Sequence, residues 1–255
     1  MPAPRNALKH RLAAGDVTHG IWLGLADSYT AEIADTAGFD WLLIDGEHAP
    51  NDIRSLSAQV AVLRNSAAVV RLPDDDPAKI KQALDIGAQT LMIPMVETAE
   101  QAERAARASR YPPEGFRGVG SALARASRFA AIPDYLTTAN AEICLIVQVE
   151  TRAGLAAIEA ISEIPGVDGI FIGPADLAAD MGFPGKPGQP EVRHAVLDGL
   201  ARIRKGGKAA GVLTTDPAMI DDCTAAGANF VGVGIDVTLF AASVRALATR
   251  YKAAR

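Results

Sequence analysis

A closed (β/α)8 barrel, the TIM fold, is the architecture this sequence predicts, and three observations predict it. Eight short apolar runs recur along the chain, segments of helical composition separate them, and the 255 residues match the usual length of an eightfold barrel. In order the runs are "HGIWLGLA", "WLLIDGE", "AAVVRL", "TLMIPMV", "ICLIVQVE", "VDGIFIGP", "AAGVLTT" and "FVGVGID". Most are continuous rather than alternating in hydropathy, which is how strands buried on both faces read. Between them lie "SYTAEIADTAGF", "DPAKIKQALDIGA", "ETAEQAERAARASRY", "TRAGLAAIEAISEIPG" and "DPAMIDDCTAAGA". Several of these close on Gly just before the next run, where a helix should stop. Strand then helix, repeated eight times, argues parallel strands joined by helical crossovers. An open doubly wound sheet is the architectural alternative, and the regularity of the units favours closure. The longest irregular stretch, "YPPEGFRGVGSALARASRFAAIPDYL", falls between the fourth and fifth runs, and "MGFPGKPGQP" follows the sixth. Loops this long are often functional or interfacial. No linker interrupts the pattern, so residues 1–255 are expected to form one barrel domain.

Composition narrows the function. Hydrophobic residues make up 49% of the chain, enough for one large core, and the net charge is −5. Lys and Arg are scattered with no basic stripe, which argues against nucleic acid as a partner. Cys144 lies inside an apolar run, far from Cys223, which fits core thiols in a reducing cytosol rather than a disulfide framework. The N-terminal "MPAPRNALKHRLAAGD" lacks the apolar core of a secretory signal, and no run approaches the roughly 18 apolar residues of a membrane span. The expected setting is cytoplasmic, with no membrane partner.

In such barrels the chemistry sits where strands run into the following loops. Read in order, those ends give Asp45, Glu47 and His48 after the second run, Arg71 at the third and Glu97 near the fourth. Gln148 and Glu150 end the fifth, Asp176 follows the sixth, and Asp216 and Asp236 lie near the seventh and eighth. Glu150 and Asp176, on neighbouring strands, can hold one hard divalent cation. Mg2+, Mn2+ and Co2+ all suit such oxygen ligands, and two protein ligands leave room for water and substrate. The competing reading is helix capping, because both residues open helical segments. Arg71 reads either as an ion-pair partner for a rim carboxylate or as a fixed cation facing a substrate oxyanion. His48 reads either as a solvated loop side chain or as a general base. Asp45, three residues earlier, would fix its tautomer if both turn inward. Glu47 is left between bonding water or backbone and facing solvent.

Several other motifs fail. "RGVGSAL" follows no strand, so it is not a dinucleotide fingerprint, and "KGGKAA" lacks the Ser or Thr of a phosphate loop. No nucleotide cofactor is expected. No strand ends in a Ser or Cys nucleophile near His48. No lysine sits at the C-terminal end of a strand, so a Schiff base is not expected, and a barrel aldolase built on this sequence would need a metal.

At "GIWLGLADSYTAEIADTAGFDWLLIDGEHAPND", "KQALDIGAQTLMIPMVETAEQA", "YPPEGFRGVG", "VQVETRAGLAAIEAI" and "DGIFIGPADLAADMG" the chain resembles the HpcH/HpaI aldolases. These are metal-dependent pyruvate aldolases typified by 4-hydroxy-2-oxoheptanedioate aldolase. The segments "IDGEH" and "VQVET…GIFIGPADL", in this order and spacing, carry most of the specificity. The resemblance implies that Glu150 and Asp176 bind the metal and that His48, oriented by Asp45, is the acid–base element. It implies that Arg71 contacts the keto oxygen and that Gln148 is a second contact near the metal. Gly173, Pro174, Ala175 and Asp176 would cradle the substrate carboxylate. Trp22 and Leu213 would wall the aldehyde pocket, with core packing as their other reading. Asp85 would reach a neighbouring subunit's site. A homohexamer, a trimer of dimers that exchange C-terminal helices, is likewise implied by the resemblance alone. The implied reaction is reversible cleavage of 4-hydroxy-2-oxo acids, including 2-keto-3-deoxy sugar acids, to pyruvate and an aldehyde.

Three rivals are weighed against it. An acyl-CoA lyase of the malyl or citramalyl type would need a basic, extended nucleotide groove. A non-catalytic scaffold would not be expected to keep a complete acid–base–metal set. A phosphate-binding isomerase would want a Gly-rich anion loop after the last two strands, for which "GVGID" is short. No obvious extra cation stands out for a second substrate carboxylate, which favours a neutral or hydroxylated aldehyde.

Overall fold

The computed structural model describes residues 1–252 and contains a closed barrel of eight parallel strands in sequential order. The strands are β1 (Thr18–Leu23), β2 (Trp41–Asp45), β3 (Ala67–Arg71), β4 (Thr90–Ile93), β5 (Cys144–Val149), β6 (Gly169–Ile172), β7 (Ala209–Leu213) and β8 (Phe230–Ile235). β2 to β8 each lie within one of the apolar runs, and β1 begins one residue before its run. Closure comes from β1 pairing with β8 in parallel, with a register shift between Gly20 and Ile21.

The pleat divides every strand between two cores. Leu42, Ile44, Val70, Leu145, Val147, Val149, Ile170 and Ile172 point outward and pack against the helices. Trp41, Leu43, Val69, Cys144, Ile146 and Phe171 point inward and fill the barrel with Trp22, Met92 and Phe230. Both sets are apolar, so the alternation expected of a half-exposed strand disappears from the sequence. Aromatic rings do much of the filling. Trp41 stacks on Phe230 at 4.0 Å between centroids, and Trp22 meets Phe171 at 5.4 Å. Gly211 makes room for them, because a Cβ there would lie 2.6 Å from the Phe171 ring.

The helices start where side chains cap them. Asp27, Asp52, Asp76, Thr98, Thr151 and Asp216 each accept backbone N–H groups of the following turn. The N-terminal helix Ala7–Ala14 closes the bottom of the barrel by placing Leu8 and Leu12 on the inward core. The long insert between β4 and β5 holds two short 3-10 turns and the helix Tyr135–Glu142. The last helix, Asp236–Lys252, buries none of its residues. Among the described residues no helix is long and apolar enough to cross a membrane. Both cysteines are free and buried.

Candidate active site

The inward parity of the strands does not stop at the apolar layer. Two residues past Leu43 comes Asp45, and two past Val69 comes Arg71. Ile146 is followed by Gln148 and Glu150, Phe171 by Gly173, Gly211 by Leu213, and Trp22 by Gly24. Asp45, Arg71, Gln148, Glu150, Gly173, Leu213 and Gly24 all line one cavity of about 650 Å³ at the C-terminal mouth of the barrel, together with Trp22 and Phe171. The same two-residue period that fills the barrel thus delivers polar side chains to its open end.

Arg71 is held as a fork. Its Nε donates to Asp45 Oδ1 at 2.9 Å and its Nη2 to Asp45 Oδ2 at 2.6 Å. On its other edge, Nη1 lies 2.9 Å from Glu47 Oε2, close enough for an ion pair though not aligned as a hydrogen bond. The guanidinium carbon sits 5.8 Å from the Trp22 ring centroid. Burial pushes the Glu47 carboxyl above its ordinary value, against the opposing pull of Arg71 and His48. The ion-pair and substrate-facing readings of Arg71 are therefore compatible: the pairs fix a cation that also lines the cavity. Glu47 does not face solvent; it braces Arg71.

His48 also lines the cavity, with its side chain 65% exposed. Its Nε2 lies 3.7 Å from Glu47 Oε2. The expected contact between Asp45 and the His48 ring is not formed. Asp45 is committed to Arg71, and its remaining bonds are to the backbone N–H groups of Glu47 and His48, at 3.0 and 3.4 Å. Asp45 shapes the turn that carries His48 rather than setting its tautomer.

Glu150 is 2% exposed. Thr151 takes the capping role that was the alternative for Glu150, by accepting from Gly154 N–H, and this leaves Glu150 turned inward. Its Oε1 accepts the Met95 N–H at 2.8 Å, an N–H aimed inward by a left-handed φ of 55° at Met95. Its Oε2 accepts from Gln148 Nε2 at 2.5 Å. Burial without a paired cation pushes the carboxyl up to about 7, and the nearby charges of Asp176 and Glu47 add to the rise. Gln148 keeps a buried Oε1 with no hydrogen-bond partner. Gly173 is required beside them, because a Cβ there would lie 2.5 Å from Glu150 Oε2. Asp176 enters the cavity from the first turn of the helix Pro174–Asp180.

A divalent cation fits this donor set. A buried carboxylate with no cationic partner, an orphaned amide oxygen and a second carboxylate close by are what such an ion would compensate. Among the described residues no three His, Cys, Asp or Glu side chains cluster as ligands, so an ion here would rest on Glu150 and Asp176.

Trp22, Leu213, Gly173, Pro174 and Ala175 line the same cavity. Trp22 also packs in the inward core, as its packing reading expects. Asp85 does not line this chain's cavity. It ends the helix Pro77–Asp85 and pairs with the buried Arg117 at 2.6 Å. Glu97 lies outside too, accepting from Thr151 Oγ1. Asp236 instead holds the Gly24 and Leu25 N–H groups. The sequence reading passed over Phe171, Arg193, Thr214, Thr215, Met219 and Thr238, which also line the wall. Thr214 and Thr215 sit directly at the end of β7 and follow the strand-end rule; Arg193 sits on the helix Pro190–Lys205 and does not.

The model of the HpcH/HpaI aldolase/citrate lyase family matches residues 18–243. The chain is 58% identical to the hydroxypyruvate/pyruvate aldolase of Roseovarius nubinhibens, across 99% of each. It is 52% identical to the 4-hydroxy-2-oxo-heptane-1,7-dioate aldolase of Salmonella dublin, across 98% of this chain and 95% of that one. Among solved structures, an HpcH/HpaI aldolase/citrate lyase family protein from Burkholderia cenocepacia superposes with a TM-score of 0.91. That protein is 40% identical, and the match covers 97% of this chain and 99% of that one. The chain belongs to the HpcH/HpaI aldolase/citrate lyase family.

Proposed function

We propose that this chain is a cation-dependent pyruvate aldolase that reversibly cleaves 4-hydroxy-2-oxo acids to pyruvate and an aldehyde. One observation carries the reading. A guanidinium fixed by two carboxylates shares a cavity with a buried carboxylate that has no cation of its own. The substrate class is supported by the two aldolases to which the chain is 58% and 52% identical.

A divalent cation held by Glu150 and Asp176 would draw electron density from the 2-oxo group and ease enolate formation. Mg2+, Mn2+ and Co2+ are all candidates. Arg71 donates to the keto oxygen as that oxygen gains charge, and its rigid fork means little reorganisation is needed at that moment. Gln148 steadies Glu150 and offers its free Oε1 to the site. The backbone N–H groups of Ala175 and Asp176, after Gly173 and Pro174, receive the substrate carboxylate. His48 takes the proton of the 4-hydroxyl. The C3–C4 bond breaks, its electron pair passes into the enolate of pyruvate, and the aldehyde leaves past Trp22 and Leu213. A proton delivered to C3 gives pyruvate. Asp45 and Glu47 act through Arg71 and the turn that carries His48.

The proposal includes assembly. The helix Asp236–Lys252 exposes Leu239, Phe240, Val244 and Leu247, and covering it with a second copy would bury that face. We assign it to exchange between subunits of a hexamer, with Asp85 reaching a neighbouring copy's cavity. The buried free thiols of Cys144 and Cys223 suit a cytoplasmic, single-domain enzyme.

The test is pyruvate release from a 4-hydroxy-2-oxo acid by purified protein. Release should vanish after chelation and return with Mg2+, Mn2+ or Co2+. Release that survives complete removal of metal would overturn the reading.

A further inference from the structure

The cavity is much larger than the oxo-acid head that Arg71 and Glu150 address, so its outer half must receive the aldehyde. Apart from Arg71, Arg193 is the one Lys or Arg among the described residues lining the cavity. It sits in the first turn of the helix Pro190–Lys205 and reaches across to the next unit of the barrel. Its Nη1 lies 3.4 Å from Asp216 Oδ2 and its Nη2 lies 2.7 Å from Asp222 Oδ2. Two carboxylates on one guanidinium leave the trio with net negative charge. Three hydroxyls line the same half, those of Thr214, Thr215 and Thr238. The Thr214 oxygen accepts from the Asp216 N–H at 3.3 Å, which leaves its own proton to donate. The Thr238 hydroxyl donates to the Ile235 carbonyl, which leaves its lone pairs to accept.

We propose that Arg193, matched by Asp216 and Asp222, is the specificity-determining residue for the aldehyde, and that the site takes neutral, hydroxylated aldehydes in preference to those bearing a second carboxylate. This rests on the aldolase reading and specifies the half of the substrate that reading leaves open. A carboxylate entering the outer half meets excess negative charge and a guanidinium whose fork is already engaged. A hydroxyl meets donors and acceptors at no electrostatic cost. Asp216 and Asp222 are 55% and 51% exposed at their side chains, so solvent screens the effect and a two- to fivefold discrimination from this trio is expected.

The experiment uses the full chain with Mn2+ and compares kcat/KM for addition of pyruvate to glyceraldehyde and to succinic semialdehyde. The wild-type protein should favour glyceraldehyde. Asp222 lies outside the cavity wall, so Asp222→Asn frees the guanidinium without reshaping the pocket. It should move the ratio two- to fivefold toward succinic semialdehyde. Asp216→Asn should move it the same way, since Asn still caps the helix Pro217–Ala225. Arg193→Gln should move it the opposite way. Exchange of the pyruvate methyl protons with solvent, followed by NMR with no aldehyde present, reads the inner half alone. If exchange occurs but the wild type prefers succinic semialdehyde, or Asp222→Asn and Asp216→Asn leave the ratio unchanged, this inference is overturned and the aldolase reading stands. If neither exchange nor addition occurs, both fall.

Discussion

The two ends of the barrel bury polar groups in opposite ways. At the N-terminal end the side chains of Asn6, Thr18, Trp41 and Asn229 are matched to one another or to backbone. Asn6 donates from Nδ2 to the Gln89 and Glu142 carbonyls and to Thr90 Oγ1, while its Oδ1 accepts the Lys9 N–H. Asn229 donates to the Leu12 carbonyl and accepts from the Ala210 N–H. Trp41 Nε1 donates to Thr18 Oγ1, which donates in turn to the Asn229 carbonyl. At the C-terminal end Glu150 has no cation, Gln148 keeps an orphaned oxygen, and Arg71 carries two carboxylates while still facing a cavity. Matched groups hold a fold together; the unmatched groups that line this cavity are open to a partner that enters it.

Removing Arg71 should break this contrast most severely. Arg71→Ala leaves Asp45 and Glu47 buried without a cation, at a cost of about 3–5 kcal/mol in stability. It should also lower kcat/KM on the order of a thousandfold through the lost donor. Denaturant melts and steady-state kinetics read the two effects separately. Arg71→Lys keeps the charge but not the fork, so it should recover stability more fully than activity.

Glu150 gives the next largest effect, and its sign is the reverse of a salt-bridged carboxylate. Its pKa rises from 4.5 in the unfolded chain to about 7 in the folded one. Below 4.5 both states are protonated and the group contributes no difference. Between the two values the folded chain keeps a proton that the unfolded chain loses. Stability of the cation-free protein should therefore fall by roughly 3 kcal/mol as pH rises through that window, and stay low above it. Glu150→Gln should flatten the slope and abolish any stabilisation by Mn2+. Chemical denaturation in chelator, repeated at several pH values, measures both.

The smallest effect tests the saturated end. Asn6→Ala should cost about 1–3 kcal/mol, because it strands the partners of a buried side chain. It should leave kcat unchanged. A drop in kcat at unaltered stability would mean the two ends are not independent.

Much of this contrast was legible in the sequence, for identifiable reasons. Both faces of each strand are buried, so "WLLID" and "CLIVQV" read as strands without alternation. Asp45, Arg71 and Glu150 were legible because a charged residue ending such a run is costly unless it has a task. What the strand-end rule could not show was which charges pair. It set Asp45 against His48, where the bidentate geometry of Arg71 takes Asp45 instead, and it left Glu47 undecided. Arg193 escaped because it reaches the cavity from a helix, across a gap that only packing brings together. Capping could be judged only once Thr151 was seen to fill the role open to Glu150.

Closure of the barrel also bears on how the molecule comes to exist. The Thr18 hydroxyl finds its acceptor at Asn229, 211 residues further along the chain. Loop closure over that span gains nothing until both ends are present. A chain emerging from the ribosome therefore carries Thr18–Leu23 as a strand with one bare edge until nearly all of it has been made. Its paired neighbour β2 protects one side, and the other invites whatever strand arrives first. The last strand to be synthesised is the one that seals the first.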